Sequence, residues 1–293
     1  MASLLDFIGN TPLVELKKIN SNPKVKILAK LEGHNPGGSV KDRAAHNMIK
    51  SALERGDLKP GMKLIEATSG NTGIALAMIA RLFNIEIELV MPENSTKERI
   101  LTMEAFGAKV ILTSAAGSME EARDYAIDKV NKGGYLMLNQ FDNPDNYMAH
   151  YFTTGPEIWR DTMESVTHFV SSMGTTGTIM GTSKFLKEVN PEVQIVGCQP
   201  TEGSKIPGIR RWPKEYLPKI FNPAMVDRTI DISEQEAREM TKKLALVEGV
   251  FAGMSSGGSA SAAVRIANEI EEGVIVCIIC DRGDRYLSSD LFG

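Results

Sequence analysis

The chain has 293 residues, of which 42% are hydrophobic and 24% are charged, as is typical of a globular protein that could form one large domain or two medium ones. The net charge of −4 argues against a general nucleic-acid binder, and no apolar run is long enough to span a bilayer. Only three cysteines occur and the N-terminus lacks a secretory pattern, so a reducing compartment is expected, with the cytoplasm as the default.

Strand-like and helix-like segments alternate along the first half of the chain. Each apolar strand is followed by a turn and then by an amphipathic or apolar helix, which is the βαβ rhythm of a mostly parallel sheet. Strands are predicted at 25–31, 63–66, 85–90, 109–112 and 135–138, and helices at 44–53, 73–83, 95–106 and 118–131.

A second set of elements begins near residue 151. Residues 201–224 are rich in Pro, Arg and aromatic residues without a clear period, which predicts a long surface loop. Ser233 and Glu236 form a capping-box pattern at the start of a helix. Helices are predicted at 151–162, 179–189, 233–248 and 257–271, and strands at 167–171, 194–199 and 274–280. The whole pattern predicts two three-layer α/β domains with mostly parallel twisted sheets and a boundary near 145–155.

One lysine stands in an unusual context. Lys41 follows Asn35-Pro36-Gly37-Gly38-Ser39-Val40, after a strand and before a helix. The Pro-Gly-Gly segment allows the backbone to turn and to approach a ligand closely. A lysine at such a place can form a Schiff base with a carbonyl compound if burial keeps it partly neutral. Taken alone, the segment is more typical of an exposed lysine near a helix N-terminus, and only the rest of the chain favours the Schiff-base interpretation.

Three Gly- and Ser/Thr-rich loops also precede predicted helices. The first, Thr68-Ser69-Gly70-Asn71-Thr72-Gly73, has hydroxyl and amide donors that suit a carboxylate, although helix capping would explain it as well. The second, residues 174–178 (GTTGT), is typical of a phosphate site built from backbone amides. It is neither a Walker A loop nor a dinucleotide-binding fingerprint, which weakens nucleotide hypotheses. The third, residues 253–259 (GMSSGGS), is a weak signal by itself.

A single ligand explains these features together. Pyridoxal phosphate supplies an aldehyde for Lys41, a phosphate for residues 174–178 and a ring nitrogen for a small hydroxyl donor. An amino-acid substrate supplies the carboxylate for residues 68–72. The sequence therefore predicts a pyridoxal-phosphate enzyme that acts on an amino acid.

Cys277 and Cys280 form a C-x-x-C pattern, which elsewhere marks redox pairs or half of a zinc site. Here the pattern lies in a buried strand, where positions three apart point to opposite faces. No second cysteine or histidine pair accompanies it. We therefore expect core cysteines and no metal site.

The chain resembles the cysteine synthases (O-acetylserine sulfhydrylases) of the fold-type II pyridoxal-phosphate enzymes, whose fold is like that of the tryptophan synthase β subunit. The resemblance runs from Ile8-Gly9-Asn10-Thr11-Pro12-Leu13 to residues 285–288 (RYLS). Residues 207–213 (PGIRRWP) and 280–286 (CDRGDRY) resemble the type B branch of that family.

The resemblance implies a role for each candidate residue. Lys41 would carry the cofactor and transfer the substrate's α-proton, and Asn71 would contact the ring hydroxyl. Ser255 would face the ring nitrogen, with its neighbour Ser256 as the alternative. The phosphate would be held by Gly174, Thr175, Thr176, Gly177 and Thr178, and the substrate carboxylate by Thr68, Ser69, Asn71, Thr72 and Gln140. The implied domains are 36–148 and, from both chain ends, 1–35 with 149–293.

The implied reaction is β-replacement, in which O-acetyl-L-serine and sulfide or thiosulfate give L-cysteine or S-sulfocysteine plus acetate. Arg210 and Arg211 would attract the anionic sulfur donor or would help to accept O-phosphoserine, unless they are a solvated or interface pair. The family implies a homodimer. Related alternatives are a serine or threonine dehydratase, a cystathionine β-synthase and an O-phosphoserine sulfhydrylase. A non-catalytic binder is less favoured because the lysine and the residue 68–73 loop are both intact.

Overall fold

The computed structural model describes residues 2–292 and contains two separate β-sheets. The larger sheet has six strands in the order β1-β2-β10-β7-β8-β9, and only the β1–β2 pair is antiparallel. Its strands are β1 (Leu13–Glu15), β2 (Val25–Leu31), β7 (His168–Ser172), β8 (Gln194–Pro200), β9 (Arg228–Ile232) and β10 (Gly273–Ile279).

The smaller sheet has four parallel strands in the order β5-β4-β3-β6. They are β3 (Lys63–Ala67), β4 (Ile87–Pro92), β5 (Lys109–Thr113) and β6 (Tyr135–Leu136). All four strands come from the middle of the chain, whereas the larger sheet is built from both ends.

Nine α-helices cover the sheets in the described part of the chain. They are α1 (Lys41–Arg55), α2 (Asn71–Leu82), α3 (Lys97–Ala105), α4 (Ser118–Asn131), α5 (Pro144–Ala149), α6 (Gly155–Asp161), α7 (Gly177–Val189), α8 (Glu234–Lys243) and α9 (Met254–Glu269). Short 3₁₀ turns lie at Leu4–Phe7, Glu32–His34, Lys214–Tyr216, Pro223–Met225 and Gly283–Tyr286, and π-turns at His150–Thr154 and Leu244–Glu248.

Each sheet has apolar residues packed on both of its faces, which is the reason for the three-layer arrangement. On the smaller sheet, Leu64 and Leu89 pack with α1 and α2, while Ile65 and Val90 pack with α4. On the larger sheet, α8 and α9 contribute to one cluster and α6 and α7 to the other. The predicted fold class, two mostly parallel three-layer α/β units, is confirmed.

The predicted ends of helices and strands differ from the structure where tertiary contacts determine where an element begins or stops. The helix predicted at 151–162 begins earlier, at Pro144, because Asn143 caps it by accepting a hydrogen bond from the Asp145 amide, and the π-turn at His150–Thr154 interrupts it. The strand predicted at 135–138 ends at Leu136, and Asn139 has a positive φ of 51°. Strands β1 and β9 were not predicted. The Ser233–Glu236 capping box is present, with Ser233 as the N-cap of α8.

Of the two expected core cysteines, Cys277 is fully buried within β10. Cys280 is half-buried and packs against the core, but it follows the end of the strand instead of lying within it. Both are free thiols. Within residues 2–292, no helix has the length and apolar character that a membrane span requires.

Candidate active site

Lys41 is the first residue of α1, at the junction between the two sheets. The loop before it pairs with the end of β10, since the Val40 amide donates to the Cys280 carbonyl oxygen at 2.8 Å and Ser39 forms a bridge with Asp281. Gly38 has a φ of +82°, a conformation that favours glycine in this turn. Burial lowers the pKa of Lys41, although the nearby Cys280 and Asp281 oppose that shift. The ε-amine is therefore more readily neutral than that of an ordinary lysine.

Asn71, at the start of α2, lies in a polar network with residues that follow β10. Its side-chain amide donates to Asp281 Oδ2 at 2.6 Å, and the Tyr286 hydroxyl donates to the same oxygen at 2.7 Å. Arg285 donates to Asn71 Oδ1 and to the Gly37 carbonyl oxygen. The network links the loop before Lys41, the residue 68–72 loop and the C-terminal segment.

The hydroxyl groups of the residue 68–72 loop do not cap helix α2. The N-cap of α2 is Gly70, which has no side chain, so the capping explanation for the Ser and Thr residues is wrong. Thr68 and Thr72 are buried, and Ser69 is partly exposed. The Thr72 hydroxyl donates to Gln140 Oε1 at 2.7 Å, so the structure brings the predicted carboxylate residues together.

The segment at residues 174–178 forms a narrow turn at the N-terminus of α7. A Cβ on Gly174 would lie 2.4 Å from the Gly208 carbonyl oxygen, and one on Gly177 would lie 2.1 Å from Asn146 Oδ1, so both positions require glycine. Thr176 has a φ of +71°, and its hydroxyl is buried without a partner among the described residues. A buried hydroxyl without a partner beside a helix N-terminus fits the oxygens of a phosphate group.

His150 contacts this turn and was not predicted. Its Nε2 lies 3.3 Å from Thr178 Oγ1, and its Nδ1 lies 2.8 Å from Thr154 Oγ1. Burial, together with the positive charges of Arg43 and Lys41, lowers the pKa of His150 to about 3, although Glu32 and Glu157 oppose that shift. His150 is therefore neutral.

The structure distinguishes between the two serines that follow Met254. The Ser256 hydroxyl accepts the Cys280 amide at 2.9 Å and is fully buried, so it stabilises the backbone. The Ser255 side chain lies near the thiol of Cys280, and a Cβ on Gly208 would be 3.4 Å from its hydroxyl oxygen. Because Gly208 also contacts Gly174, Ser255 lies close to the 174–178 turn.

Arg210 and Arg211 differ in their contacts. Arg211 donates to the Pro200 carbonyl oxygen at 2.9 Å and forms an ion pair with Asp231. Arg210 lies 5.3 Å from the ring centre of Trp212, whose indole N–H donates to the Gly174 carbonyl oxygen at 2.7 Å. Trp212 thus holds the loop that carries Arg210 and Arg211 against the 174–178 turn. Of the two arginines, Arg210 has no described ion pair.

The residues that the sequence analysis did not select are His150, Asp281, Arg285 and Tyr286. Residues 280–286 were noted only as a stretch that resembles the type B enzymes, and that stretch was the available signal for three of them. No local pattern marks His150, because its role depends on helix packing.

Comparisons with known proteins show to which family the chain is similar. A cysteine synthase B from Pseudomonas aeruginosa is 57% identical over 99% of this chain and 97% of its own length, and one from Escherichia coli is 55% identical over 100% and 97%. The crystal structure of a cysteine synthase from Entamoeba histolytica superposes with a TM-score of 0.95 at 39% identity, covering 100% of this chain and 90% of that one. The resemblance to the cysteine synthases is confirmed.

A family match covers nearly the whole chain. Residues 4–281 match the family described as "Pyridoxal-phosphate dependent enzyme", and that span includes every candidate residue named above except Arg285 and Tyr286. The predicted fold type and the predicted cofactor are thereby confirmed. On this evidence the chain belongs to the pyridoxal-phosphate-dependent enzymes, in the branch of the cysteine synthases.

Proposed function

We propose that this chain catalyses β-replacement of O-acetyl-L-serine by sulfide or thiosulfate, forming L-cysteine or S-sulfocysteine and acetate in cysteine biosynthesis. The observation that carries the proposal is Lys41, a lysine at the start of α1 whose pKa is lowered by burial, together with a 174–178 turn whose buried Thr176 hydroxyl is suited to phosphate. The identity to curated cysteine synthases over the full chain supports the same activity.

Lys41 has two roles in this proposal. It would hold the aldehyde carbon of pyridoxal phosphate, which when bound supplies an electron sink that stabilises negative charge at the substrate's α-carbon. The substrate's α-amine would displace Lys41 from the aldehyde carbon, which frees the neutral ε-amine to remove the α-proton. Acetate would leave from the β-carbon, and the sulfur nucleophile would add to that β-carbon. The Lys41 ammonium would return a proton to the α-carbon, and its amine would then displace the product's amine and bind the aldehyde carbon again. The lowered pKa of Lys41 favours the neutral amine that the first proton transfer needs.

The remaining candidate residues would bind and orient the substrate and the cofactor. Thr68, Ser69, Thr72 and Gln140 would hold the substrate carboxylate at the N-terminus of α2, where backbone amides favour an anion. Gly174, Thr175, Thr176, Gly177 and Thr178 would hold the cofactor's phosphate. Asn71, which the Arg285–Asp281 network orients, would contact the ring hydroxyl.

Ser255 is the residue we assign to the ring nitrogen. A serine hydroxyl stabilises a protonated pyridine less than a carboxylate does, so the ring would remain a moderate electron sink. This property suits elimination and replacement more than transamination. The bond that Ser256 makes to the Cys280 amide supports Ser255 over its neighbour.

A product assay tests the proposed function against its rivals. The cofactor-loaded protein is given O-acetyl-L-serine with sulfide, O-acetyl-L-serine with thiosulfate, O-phosphoserine with sulfide, serine with homocysteine, or serine alone. The proposal predicts cysteine and S-sulfocysteine from the first two mixtures. Pyruvate from serine alone would instead identify a dehydratase, cystathionine would identify a cystathionine β-synthase, and a strong preference for O-phosphoserine would change the assigned substrate.

Arg210 and Arg211 are proposed to attract the anionic sulfur donor. Replacing both with alanine should lower kcat/KM for thiosulfate by about 10-fold or more, because a charge-assisted hydrogen bond contributes roughly 1.5–3 kcal/mol. The loss for sulfide should be smaller. Lys214→Ala, which removes an exposed charge from the same loop, is the control and should change neither value. Equal losses for both donors would remove this role.

The domain division and the assembly are also proposals. The four-stranded sheet supports a domain at 36–148, and the six-stranded sheet supports a second domain from 1–35 and 149–293. A homodimer is proposed from the family and from exposed apolar side chains such as Phe7 and Phe152, both 62% exposed, and a mass measurement in solution tests it. The three free thiols support a reducing compartment such as the cytoplasm.

A further inference from the structure

Glu66 has a buried carboxyl group that takes no part in the proposed mechanism. It lies in β3, immediately before the residue 68–72 loop, and only 5% of the residue is exposed. Its Oε2 accepts hydrogen bonds from the backbone amides of Leu138 and Asn139, both at 3.1 Å. No cation forms an ion pair with it among residues 2–292, so its partners are backbone amides.

Those amides belong to a segment that has no strand partner. The β3–β6 pairing ends at Leu64 and Leu136, so Leu138 and Asn139 receive no acceptor from the sheet. The turn also has a left-handed residue, Asn139, with a φ of 51°. The Glu66 carboxylate therefore supplies acceptors that the sheet does not provide at this point.

The segment carries Gln140, whose side chain is proposed to bind the substrate carboxylate. Gln140 Oε1 accepts the Thr72 hydroxyl at 2.7 Å, and its carbonyl oxygen accepts the Asn146 side-chain amide at 2.6 Å. Glu66 thus joins the two parts of the carboxylate site: the residue 68–72 loop follows it in the chain, and Gln140 is attached through its hydrogen bonds.

We propose that the Glu66 carboxylate is a positioning residue that holds residues 138–140, and through them the Gln140 side chain, in the geometry that binds the substrate carboxylate. This inference rests on the proposed role of Gln140. Glu66 itself does not touch the substrate. Its Oε2 accepts the Leu138 and Asn139 amides, and the Gln140 amide is a third donor beside the carboxyl group. The ionised form can accept from all three amides, whereas a protonated carboxyl or a glutamine amide presents a donor at one of its two positions and loses acceptor capacity there.

The surroundings of Glu66 make this group titrate in an accessible range. Burial raises its pKa to about 7, and hydrogen bonds from the amides of Asn139, Leu138 and Gln140 oppose that shift. On its own sheet face it is beside Leu89 of β4 and near Leu64 and Leu136, while the charged Lys63, Glu88 and Lys109 lie on the opposite face by strand alternation.

The helices that pack on the face of Glu66 place no charged partner against it, and this includes α3, whose Lys97, Glu98, Arg99 and Glu104 form no described hydrogen bond or ion pair with Glu66. Helix α2 carries only Arg81, which is exposed. Helix α1 carries Lys41, Asp42, Arg43, His46, Lys50, Glu54 and Arg55, and none of these forms a described hydrogen bond or ion pair with Glu66. The pKa of Glu66 therefore follows from burial and from the backbone amides.

Glu66→Gln tests whether the ionised form of Glu66 is needed, because glutamine has a similar shape but cannot ionise. In the wild type, kcat/KM for O-acetyl-L-serine should contain an acid limb near pH 7, because protonation of Glu66 loosens the 138–140 segment. Glu66→Gln should lack that limb, and its KM should rise about 10-fold while kcat changes less than about 3-fold, as expected for a loss of one buried hydrogen bond in substrate binding. An unchanged acid limb in the variant would overturn the proposal.

Glu88→Gln is the matched control. Glu88 is also a buried carboxyl, 5% exposed, on the adjacent strand, but it faces Lys109 and Lys129 instead of the 138–140 segment. It should leave KM and the acid limb unchanged even if it lowers stability. A KM increase equal to that of Glu66→Gln would reduce Glu66 to a general structural role and would contradict the proposal.

Amide hydrogen exchange tests, without relying on catalysis, whether Glu66 holds the 138–140 segment in place. In the cofactor-loaded protein without substrate, amides 138–140 should exchange faster in Glu66→Ala and Glu66→Gln than in the wild type, after correction for pH. Equal protection in all three proteins would overturn the inference. An inactive wild type whose 138–140 amides are protected, with faster exchange in both Glu66 variants, would overturn the proposed function but support the role of Glu66, so the two failures are distinguishable.

Discussion

Lys41→Ala should lower kcat for cysteine formation by about 10³–10⁴-fold, because it removes both the covalent attachment of the cofactor and the base that moves the α-proton. Lys41 is the lysine near Asp281, Cys280 and His150, and burial lowers its pKa. No other described lysine has this combination. Steady-state rates with O-acetyl-L-serine and sulfide, measured on protein with a quantified cofactor content, check the prediction.

Lys50→Ala is the matched control for that variant. Lys50 lies on the same helix, α1, but its side chain is 54% exposed and pairs only with Glu54 at 3.8 Å. Its removal should leave kcat within about 2-fold, as expected for an exposed ion pair that contributes less than about 1 kcal/mol. A similar loss in both variants would mean that the charge of the helix, and not the amine at position 41, supports activity.

Arg43→Met should cost roughly 3–5 kcal/mol of stability, because it leaves buried carboxylates without their partner. Arg43 is 2% exposed and donates to Glu32 at 2.7 and 2.8 Å and to Glu157 at 2.6 and 2.8 Å. Lys30, also buried, lies 2.8 Å from Glu157. The cluster connects α1, β2 and α6, so its loss should destabilise the junction between the two sheets.

Denaturant unfolding at pH 7 checks this expectation, with Arg81→Met as the control. Arg81 is an exposed residue of α2 without a described ion pair, so its replacement should change the free energy of unfolding by less than about 0.5 kcal/mol. If Arg43→Met were as stable as the control, the buried cluster would contribute no net stability, as occurs in some proteins.

The contribution of Arg43 to the free energy of unfolding should depend on pH. Burial alone would raise the pKa of Glu157, but the hydrogen bond and charge of Arg43, together with Lys30, lower it to about 2. A carboxyl with a lowered pKa contributes stability above its unfolded value of about 4.3, and that contribution is lost as the pH falls toward 2. The stability difference between the wild type and Arg43→Met should therefore narrow below about pH 4.

The features that could be predicted from the sequence were local. The Pro-Gly-Gly turn before Lys41, the Gly/Thr run at 174–178 and the donors at 68–72 each carry their chemistry in consecutive residues. The strand and helix periods were sufficient for the fold class because each sheet is buried on both faces. The Ser233–Glu236 capping box was also predicted correctly, because a cap is local and involves residues only three apart.

The features that could not be predicted depend on contacts between distant segments. Asp281 meets Asn71 across 210 positions, and Arg285 meets Gly37 across 248, so neither contact leaves a local pattern. The strand expected to reach residue 138 stops at Leu136, because a side chain from β3, Glu66, takes over as the hydrogen-bond acceptor. Glu66 at the end of the predicted 63–66 strand was not selected from the sequence, because only its burial in the structure distinguishes it from an exposed glutamate.

The most direct measurement is to reduce the cofactor-loaded protein with borohydride, digest it and map the peptides by mass spectrometry. Reduction makes the link between an amine and the cofactor's aldehyde carbon permanent. We expect the added mass on Lys41 alone among the 293 residues. Labelling at a different lysine, or the absence of any labelled peptide from protein that contains the cofactor, would contradict the account.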